Sequence, residues 1–341
     1  MSDKILGAVA VLVLAVSVIP DLATAQTPER QKAVLITGAT SGIGRLATEK
    51  LASEGYYVYA GARKDSDIEA LNRIENVTAV RLDVTRQEEI DAAVRFVESE
   101  GRGLWGLVNN AGINIIDPLI EADESDLRFL FDVNVFGVFR VTSAFAPQII
   151  ESGGRIVNIS SISGVLAGSL TSYGMYSMSK HAVEAYTDQL ASEMASLGVS
   201  VSAIEPGNFR SQIGVTRCRR MIAESESGGG KKYRYFADAM NRYLEGCREY
   251  IAEGGVSSAP PPDLVAEAIQ DALFADAPKE HYLVVANQFE AMITIGKAFE
   301  ELLHLNHDHE YSYSRDELIA MMDEEWAILR GEKERNWDED E

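Results

Sequence analysis

From Ala33 onward, short wholly apolar runs alternate with longer stretches in which apolar residues recur every three or four positions. The first pattern predicts strands buried on both faces, the second amphipathic helices. Ala33-Val34-Leu35-Ile36-Thr37 reads as the first strand, followed by a Gly-rich turn and a helical pattern through Glu54. Tyr57 to Ala60, Val77 to Leu82, Leu107-Val108, Arg155 to Ile159, Val199 to Ile204 and Tyr282 to Val285 read as further strands. Helical periodicity covers Gln87 to Glu100, Glu124 to Glu151, Tyr176 to Leu197 and Asp263 to Phe274. Strands separated by helices call for right-handed crossovers. The pattern therefore predicts an α/β fold, a doubly wound parallel seven-stranded sheet with helices on both faces. Residues 212–262 carry the weakest pattern, and Gly228-Gly229-Gly230 and Pro260-Pro261-Pro262 mark them as a long irregular segment.

The first 30 residues break this rhythm. Ile5 to Pro20 is a 16-residue run without charge, between Lys4 and Asp21. It is rather short for a membrane span, which takes about 17–25 residues. Ala23-Thr24-Ala25, ahead of Gln26, has the small-x-small form of a signal-peptidase site. A cleaved export signal and a retained membrane anchor both fit residues 1–30. At the other end, residues 287–341 continue as a helical, acidic extension whose end, Asp338-Glu339-Asp340-Glu341, reads as a solvated tail.

Composition narrows the function. With 53 acidic against 31 basic residues the net charge is −22, which repels phosphate backbones and excludes nucleic acid as a partner. Cys218 and Cys247 are too few for a zinc site or a disulfide scaffold and read as two free thiols rather than one bridge. His304, His307 and His309 fit no tidy metal site and read as a polar helix end, so no metal is expected.

Chemistry concentrates at a few short motifs. Thr37-Gly38-Ala39-Thr40-Ser41-Gly42-Ile43-Gly44 lies between the first strand and the first helix. There Gly38 permits a tight turn, Gly42 lets the backbone approach a pyrophosphate, and Gly44 allows close packing, while the helix N-terminus offers free N–H groups. Tyr176 and Lys180, four residues apart on a predicted helix, share one face, where an ammonium beside a phenol would lower its pKa.

Together these motifs resemble the short-chain dehydrogenase/reductase family, and the branch containing 17β-hydroxysteroid and retinol dehydrogenases. Thr37 to Gly44 resembles its T-G-x-x-x-G-x-G turn, Asn109-Asn110-Ala111-Gly112 its N-N-A-G motif, and Tyr176 to Lys180 its Y-x-x-x-K. Ser161 and Asn134 match its catalytic serine and asparagine, and Pro206-Gly207 its P-G motif at the nicotinamide. The resemblance implies Tyr176 as general acid/base, Lys180 as its tuner and ribose contact, Ser161 as the carbonyl-orienting group and Asn134 as holder of a relay water. Ser161 precedes Tyr176 by 15 residues where the family commonly has about 13, so the loop between them is extended; Ser160 and Ser163 are the structural alternatives.

For the cofactor the resemblance implies contacts from Thr37, Gly38, Ser41, Gly42, Ile43, Gly44, Asp83, Val84, Asn110, Ala111, Gly112, Tyr176, Lys180, Pro206 and Gly207. After the second strand stands Arg63 with no acid at the key position, which favours NADP over NAD. Residues 31–286 are then the dinucleotide-binding domain, with a substrate lid at 205–262. The substrate is expected to be a small-molecule alcohol or ketone of bulky apolar, steroid-, retinoid- or lipid-like character. A 3-oxoacyl thioester reductase and a non-catalytic dinucleotide sensor or scaffold are the alternatives.

Arg210, Arg217, Arg219, Arg220, Lys231, Lys232 and Arg234 crowd the lid of this acidic chain. They read as a solvated mobile surface or as a site for anions, lipid head groups or a substrate carboxylate or phosphate. The family implies a homo-oligomer, and the leader leaves membrane-surface contact open. A membrane-associated protein with a cytosol-facing domain is favoured, because pyridine nucleotides are supplied there; export after cleavage before Gln26 is the alternative.

Overall fold

The computed structural model describes residues 31–167, 173–227 and 231–334. The leader, Gly228-Gly229-Gly230 and the acidic end at 338–341 lie outside them. Seven strands form one parallel sheet: β1 Ala33–Ile36, β2 Tyr57–Ala62, β3 Val77–Arg81, β4 Gly106–Asn109, β5 Arg155–Ile159, β6 Ser200–Pro206 and β7 His281–Val284. Their order is β3-β2-β1-β4-β5-β6-β7, with Val34 opposite both Val58 and Gly106. The order reverses direction between β1 and β4, the switch point at which such sheets bind ligands.

Alternation along β1 builds both core layers. Val34 and Ile36 face α1 (Gly42–Ser53) and α9 (Asp263–Phe274), packing with Leu51, Ile269 and Leu273. Ala33 and Leu35 face α3 (Gln87–Ser99) and α5 (Gly137–Ser152), packing with Ile90, Phe145 and Ile149. A buried polar chain crosses the second layer. Asn109 Nδ2 donates to Thr142 Oγ1 and Asn158 Oδ1, each at 2.9 Å, and Asn158 Nδ2 donates to Thr187 Oγ1 at 2.9 Å. These buried donors tie β4 to β5, while Asn109 Oδ1 has no partner among the described residues.

Three features differ from the sequence expectations. The predicted helix from Glu124 to Glu151 is two α-helices, α4 (Glu124–Phe131) and α5, joined by a π-helical turn at Asp132–Phe136. Among the described residues only Glu124–Ser152 is long and apolar enough to cross a membrane, yet its second half packs Val141, Phe145 and Ile149 into the core. The segment read as irregular holds α7 (Ile213–Glu226) and α8 (Ala237–Ala252). Cys218 and Cys247 join these helices in a disulfide, with Cα atoms 5.0 Å apart, and are not free thiols. The remaining helices are α2 (Asp65–Leu71), α6 (Gly174–Ala195), α10 (Gln288–Leu305) and α11 (Arg315–Leu329).

Candidate active site

A cleft of about 1800 Å³ opens beyond the carboxyl ends of β1, β4, β5 and β6. At its base the Gly-rich turn and the Asn-Asn-Ala-Gly motif are stitched together. Thr37 Oγ1 accepts the backbone N–H groups of Asn110 and Ala111 at 2.9 and 3.0 Å. Asn110 Nδ2 in turn donates to the carbonyls of Thr37 and Gly38 at 2.8 and 3.1 Å. That amide occupies the space where Gly44 would carry a Cβ, so a side chain at Gly44 would collide with it. Gly38 adopts φ +65°, and a Cβ there would lie 2.9 Å from the Ala111 backbone. The turn thus leaves an open cradle at the α1 N-terminus, suited to a phosphate.

Thr40, Ser41, Gly42 and Ile43 line the same cleft, as do Ala111 and Gly112. Arg63 stands two-thirds exposed at the end of β2, its guanidinium 3.6 Å from Asp83. Asp83 accepts the Thr85 hydroxyl at 2.7 Å and N–H at 3.0 Å. Partial burial opposes its charge, yet the Thr85 bonds and Arg63 together hold the carboxyl below its usual range. Val84 also lines this side.

On the far wall, Tyr176 and Lys180 lie in α6 and Ser161 follows β5. Tyr176 and Ser161 line the cleft together. The Ser163 N–H donates to Ser161 Oγ at 3.1 Å, so Ser163 supports Ser161. Burial pushes the phenol up to about 12, while Ser161 and the charge of Arg217 pull the other way. The expected lowering by Lys180 is not met. Lys180 is 6% exposed and donates to the Ile159 carbonyl at 2.8 Å, its Nζ 5.6 Å from the centre of the phenol ring. Burial lowers this ammonium to about 8, against the pull of Glu184.

Asn134 sits in the π-helical turn with both ends of its amide occupied. Its Oδ1 accepts from Ile113 N at 2.8 Å, and its Nδ2 donates to Ile113 O at 2.9 Å and Ser179 Oγ at 3.1 Å. Ser179 Oγ donates onward to the Tyr176 carbonyl at 2.7 Å. Asn134 therefore holds the chain after β4 against the helix that carries Tyr176, rather than presenting its side chain to the cleft.

Pro206 and Gly207 end β6 at the cleft, and the C-terminal extension reaches them. Glu290, in the first turn of α10, accepts the N–H groups of Asn208 at 3.2 Å and Ala286 at 3.1 Å. A side chain at Gly207 would strike that carboxylate. Sequence reasoning ended the domain at residue 286 and missed this support, which has no local motif.

Behind Ser160 lies a second unforeseen cluster. His281 Nδ1 meets Glu205 at 2.7 Å and Glu184 at 3.7 Å, and its Nε2 meets Asp188 at 3.0 Å. The Glu205 hydrogen bond pushes the imidazole up to about 9, and burial pushes Glu184 up to about 7. Glu184, Glu205 and His281 offer ligand atoms within 4.8 Å of one another. His304 closes α10 in its last turn, and the His309 ring nitrogen accepts the Tyr311 N–H at 3.1 Å.

The lid is neither bare nor solvated throughout. Lys231 pairs with Asp117 at 2.6 Å and Asp123 at 3.1 Å, and the Tyr233 hydroxyl donates to the same Asp117 at 2.6 Å. Arg220 pairs with Asp126 at 2.5 Å and Glu224 at 2.6 Å. Glu121 accepts the backbone N–H groups of Arg234, Tyr235 and Phe236. Arg219 is exposed. Arg217 alone among these cations is half-buried in the cleft without a carboxylate among the described residues.

Comparison with known proteins accords with this geometry. The family model described as short chain dehydrogenase matches residues 32–220. Mitochondrial D-beta-hydroxybutyrate dehydrogenase of Bos taurus is 35% identical over 277 residues, covering 75% of this chain and 77% of that one. The 17-beta-hydroxysteroid dehydrogenase type 6 of Homo sapiens is 34% identical over 262 residues, covering 74% and 80%. Among solved structures, a short-chain dehydrogenase from Streptomyces avermitilis superposes with a TM-score of 0.63 at 28% identity, covering 89% of this chain and 99% of that one. With its matched motifs, its parallel seven-stranded sheet and these relatives, the chain belongs to the short chain dehydrogenase family and is an oxidoreductase acting on alcohol and carbonyl groups.

Proposed function

We propose that this enzyme is an NADP-dependent oxidoreductase interconverting a secondary alcohol and a ketone, with Tyr176 as general acid/base. The observation that carries the reading is that Tyr176, Ser161 and Lys180 line one wall of a cleft whose base is the Gly-rich cradle. The residues fit a dinucleotide: the cradle at Gly38 and Gly44 is open to a pyrophosphate, and exposed Arg63 is placed to meet a 2′-phosphate. Bound NADP supplies or accepts the hydride. Every other step falls to the chain. Ser161 orients the substrate oxygen, and Tyr176, protonated at neutral pH, is set to donate its proton as a ketone is reduced. Lys180 keeps a positive charge beside the phenolate that results, and Asn134 acts as a positioning residue through Ser179.

Leu119, Ile120, Phe129, Leu166 and Phe236 line the substrate side of the cleft. These walls support a bulky apolar substrate, in keeping with the hydroxysteroid dehydrogenase relative. The thioester alternative drew on the basic lid, and Arg220 and Lys231 are taken up by carboxylates of the protein itself. Phe136 and Phe139, exposed along α5 and the turn before it, offer a face for self-association, and the apolar leader supports association with a membrane.

NADPH absorbance followed with a panel of steroid, retinoid and aliphatic ketones tests the reading. Tyr176→Phe should lower turnover by about 10²–10⁴-fold and leave NADPH binding nearly intact. Full activity in that variant would refute the role given to Tyr176.

A further inference from the structure

Arg217 lies in α7, on the lid, and its guanidinium reaches into the cleft between Tyr173 and Tyr243, 5.6 Å from the centre of each ring. Both tyrosines line the cleft, so the guanidinium is flanked by an aromatic ring on either side. Among the described residues, Arg217 Nε is buried with no hydrogen-bond partner, and no carboxylate pairs with the group. This is an unusual state in a chain of net charge −22, where acids outnumber bases 53 to 31. Its neighbours on the lid, Arg220 and Lys231, each have two carboxylates within 4 Å. Leaving a half-buried guanidinium uncompensated is costly, and a planar fork of N–H donors matches a carboxylate in particular.

The position relative to the chemistry is also defined. Tyr173 is the N-cap of α6, three residues before Tyr176, and both line the same cleft. The positive field of Arg217 reaches the Tyr176 phenol. From these contacts we infer that Arg217 is a specificity-determining residue that binds a carboxylate on the substrate, so that the enzyme acts on apolar oxo or hydroxy acids rather than on neutral ketones and alcohols. The apolar walls take the body of such a molecule, Ser161 and Tyr176 its oxygen, and Arg217 its charged end. This inference rests on the proposed oxidoreductase reading and narrows its substrate class.

The test uses a homologous series of methyl-ketone carboxylates, short to long, each paired with its neutral methyl ester. NADPH consumption gives the ratio of kcat/KM for acid over ester, and calorimetry on the enzyme with NADPH gives the ratio of affinities. At the chain length that spans Arg217 and Tyr176 the wild type should prefer the acid by at least about tenfold, as one charge-assisted hydrogen-bond pair implies. Arg217→Gln should bring that ratio close to one through a higher KM for the acid, and Arg217→Lys should restore part of it. A thermal melt establishes that each variant is folded. Equal treatment of acid and ester by the wild type at every chain length, or a preference that survives in Arg217→Gln, would overturn the inference. If no ketone is reduced yet the acid still binds more tightly than the ester through Arg217, the subsite stands and the oxidoreductase reading fails.

Discussion

Lys180 Nζ donates to the carbonyl of Ile159 at 2.8 Å, two residues before Ser161. The ammonium thus secures the end of the strand that delivers the serine, and does so from deep within the fold. Burial has brought it to about 8. Because kcat/KM reports groups of the free enzyme, ketone reduction should hold level below pH 8 and fall about tenfold per unit above it. A profile flat to pH 10 would remove Lys180 from the chemistry. The linked stability runs oppositely. Between about 8 and 10.5 the unfolded chain holds the proton that folded Lys180 has lost, so this residue adds stability as pH rises through that window.

His281 gives the reverse sign. Its folded pKa of about 9 lies above the ordinary 6.5, so its contribution is complete below 6.5 and is lost as pH rises towards 9. The carboxyls of Glu205, Glu184 and Asp188 face it, and Glu184, pushed up to about 7 by burial, carries its proton below that pH. The ring is half-exposed, and with solvent screening the contribution is about 1 kcal/mol, or roughly 2–4 °C in Tm. Melting His281→Gln beside the wild type at pH 6 and pH 9 should show the difference only at the lower pH. An equal difference at both would mean that packing, not charge, holds this corner.

Arg63 should decide the cofactor. Its guanidinium is mostly free to leave Asp83 for a phosphate. Arg63→Ala is expected to lower kcat/KM with NADPH by about tenfold or more while changing that with NADH little, since one charge-assisted hydrogen bond contributes about 1.5–3 kcal/mol. Parallel loss with both nucleotides would assign Arg63 to the fold instead.

The bond between Cys218 and Cys247 closes a separation of 29 residues. Removing it in Cys218→Ser/Cys247→Ser should destabilise the folded enzyme by up to about 3–4 kcal/mol and loosen α7 against α8. A higher KM for bulky substrates at unchanged NADPH affinity would show that the loosening reaches the lid. Thiol titration of native protein, denatured without reductant, should find no free thiol. Two free thiols would place the chain in a reducing compartment, where such bonds are rare.

How far the sequence speaks depends on how much apolar surface an element buries. β1 is covered on both faces, leaving the unbroken run Ala33-Val34-Leu35-Ile36 that marks a strand. α7 buries only Val215 and Cys218, and α8 only Met240 and Cys247, and stripes that thin resemble irregular chain. The proposed catalytic residues are legible because Tyr176 and Lys180 are neighbours in sequence. Glu290 beneath Gly207, and the tyrosines around Arg217, meet only through tertiary packing and leave no local trace. Two cysteines alone do not announce a bridge, because their separation says nothing of whether α7 lies against α8.

The π-helical turn at Asp132–Phe136 has one more consequence. Phe129, ahead of it, lines the cleft, whereas Val141 and Phe145, beyond it, fill the core, so one continuous helical rod serves two unrelated surfaces. The wider turn puts these surfaces in phase with each other and sets Asn134 between them. Deleting a single residue there would make a more regular helix, but one whose two halves could no longer both face their targets. The number of residues between Phe129 and Val141 is therefore constrained by the cleft and the core together.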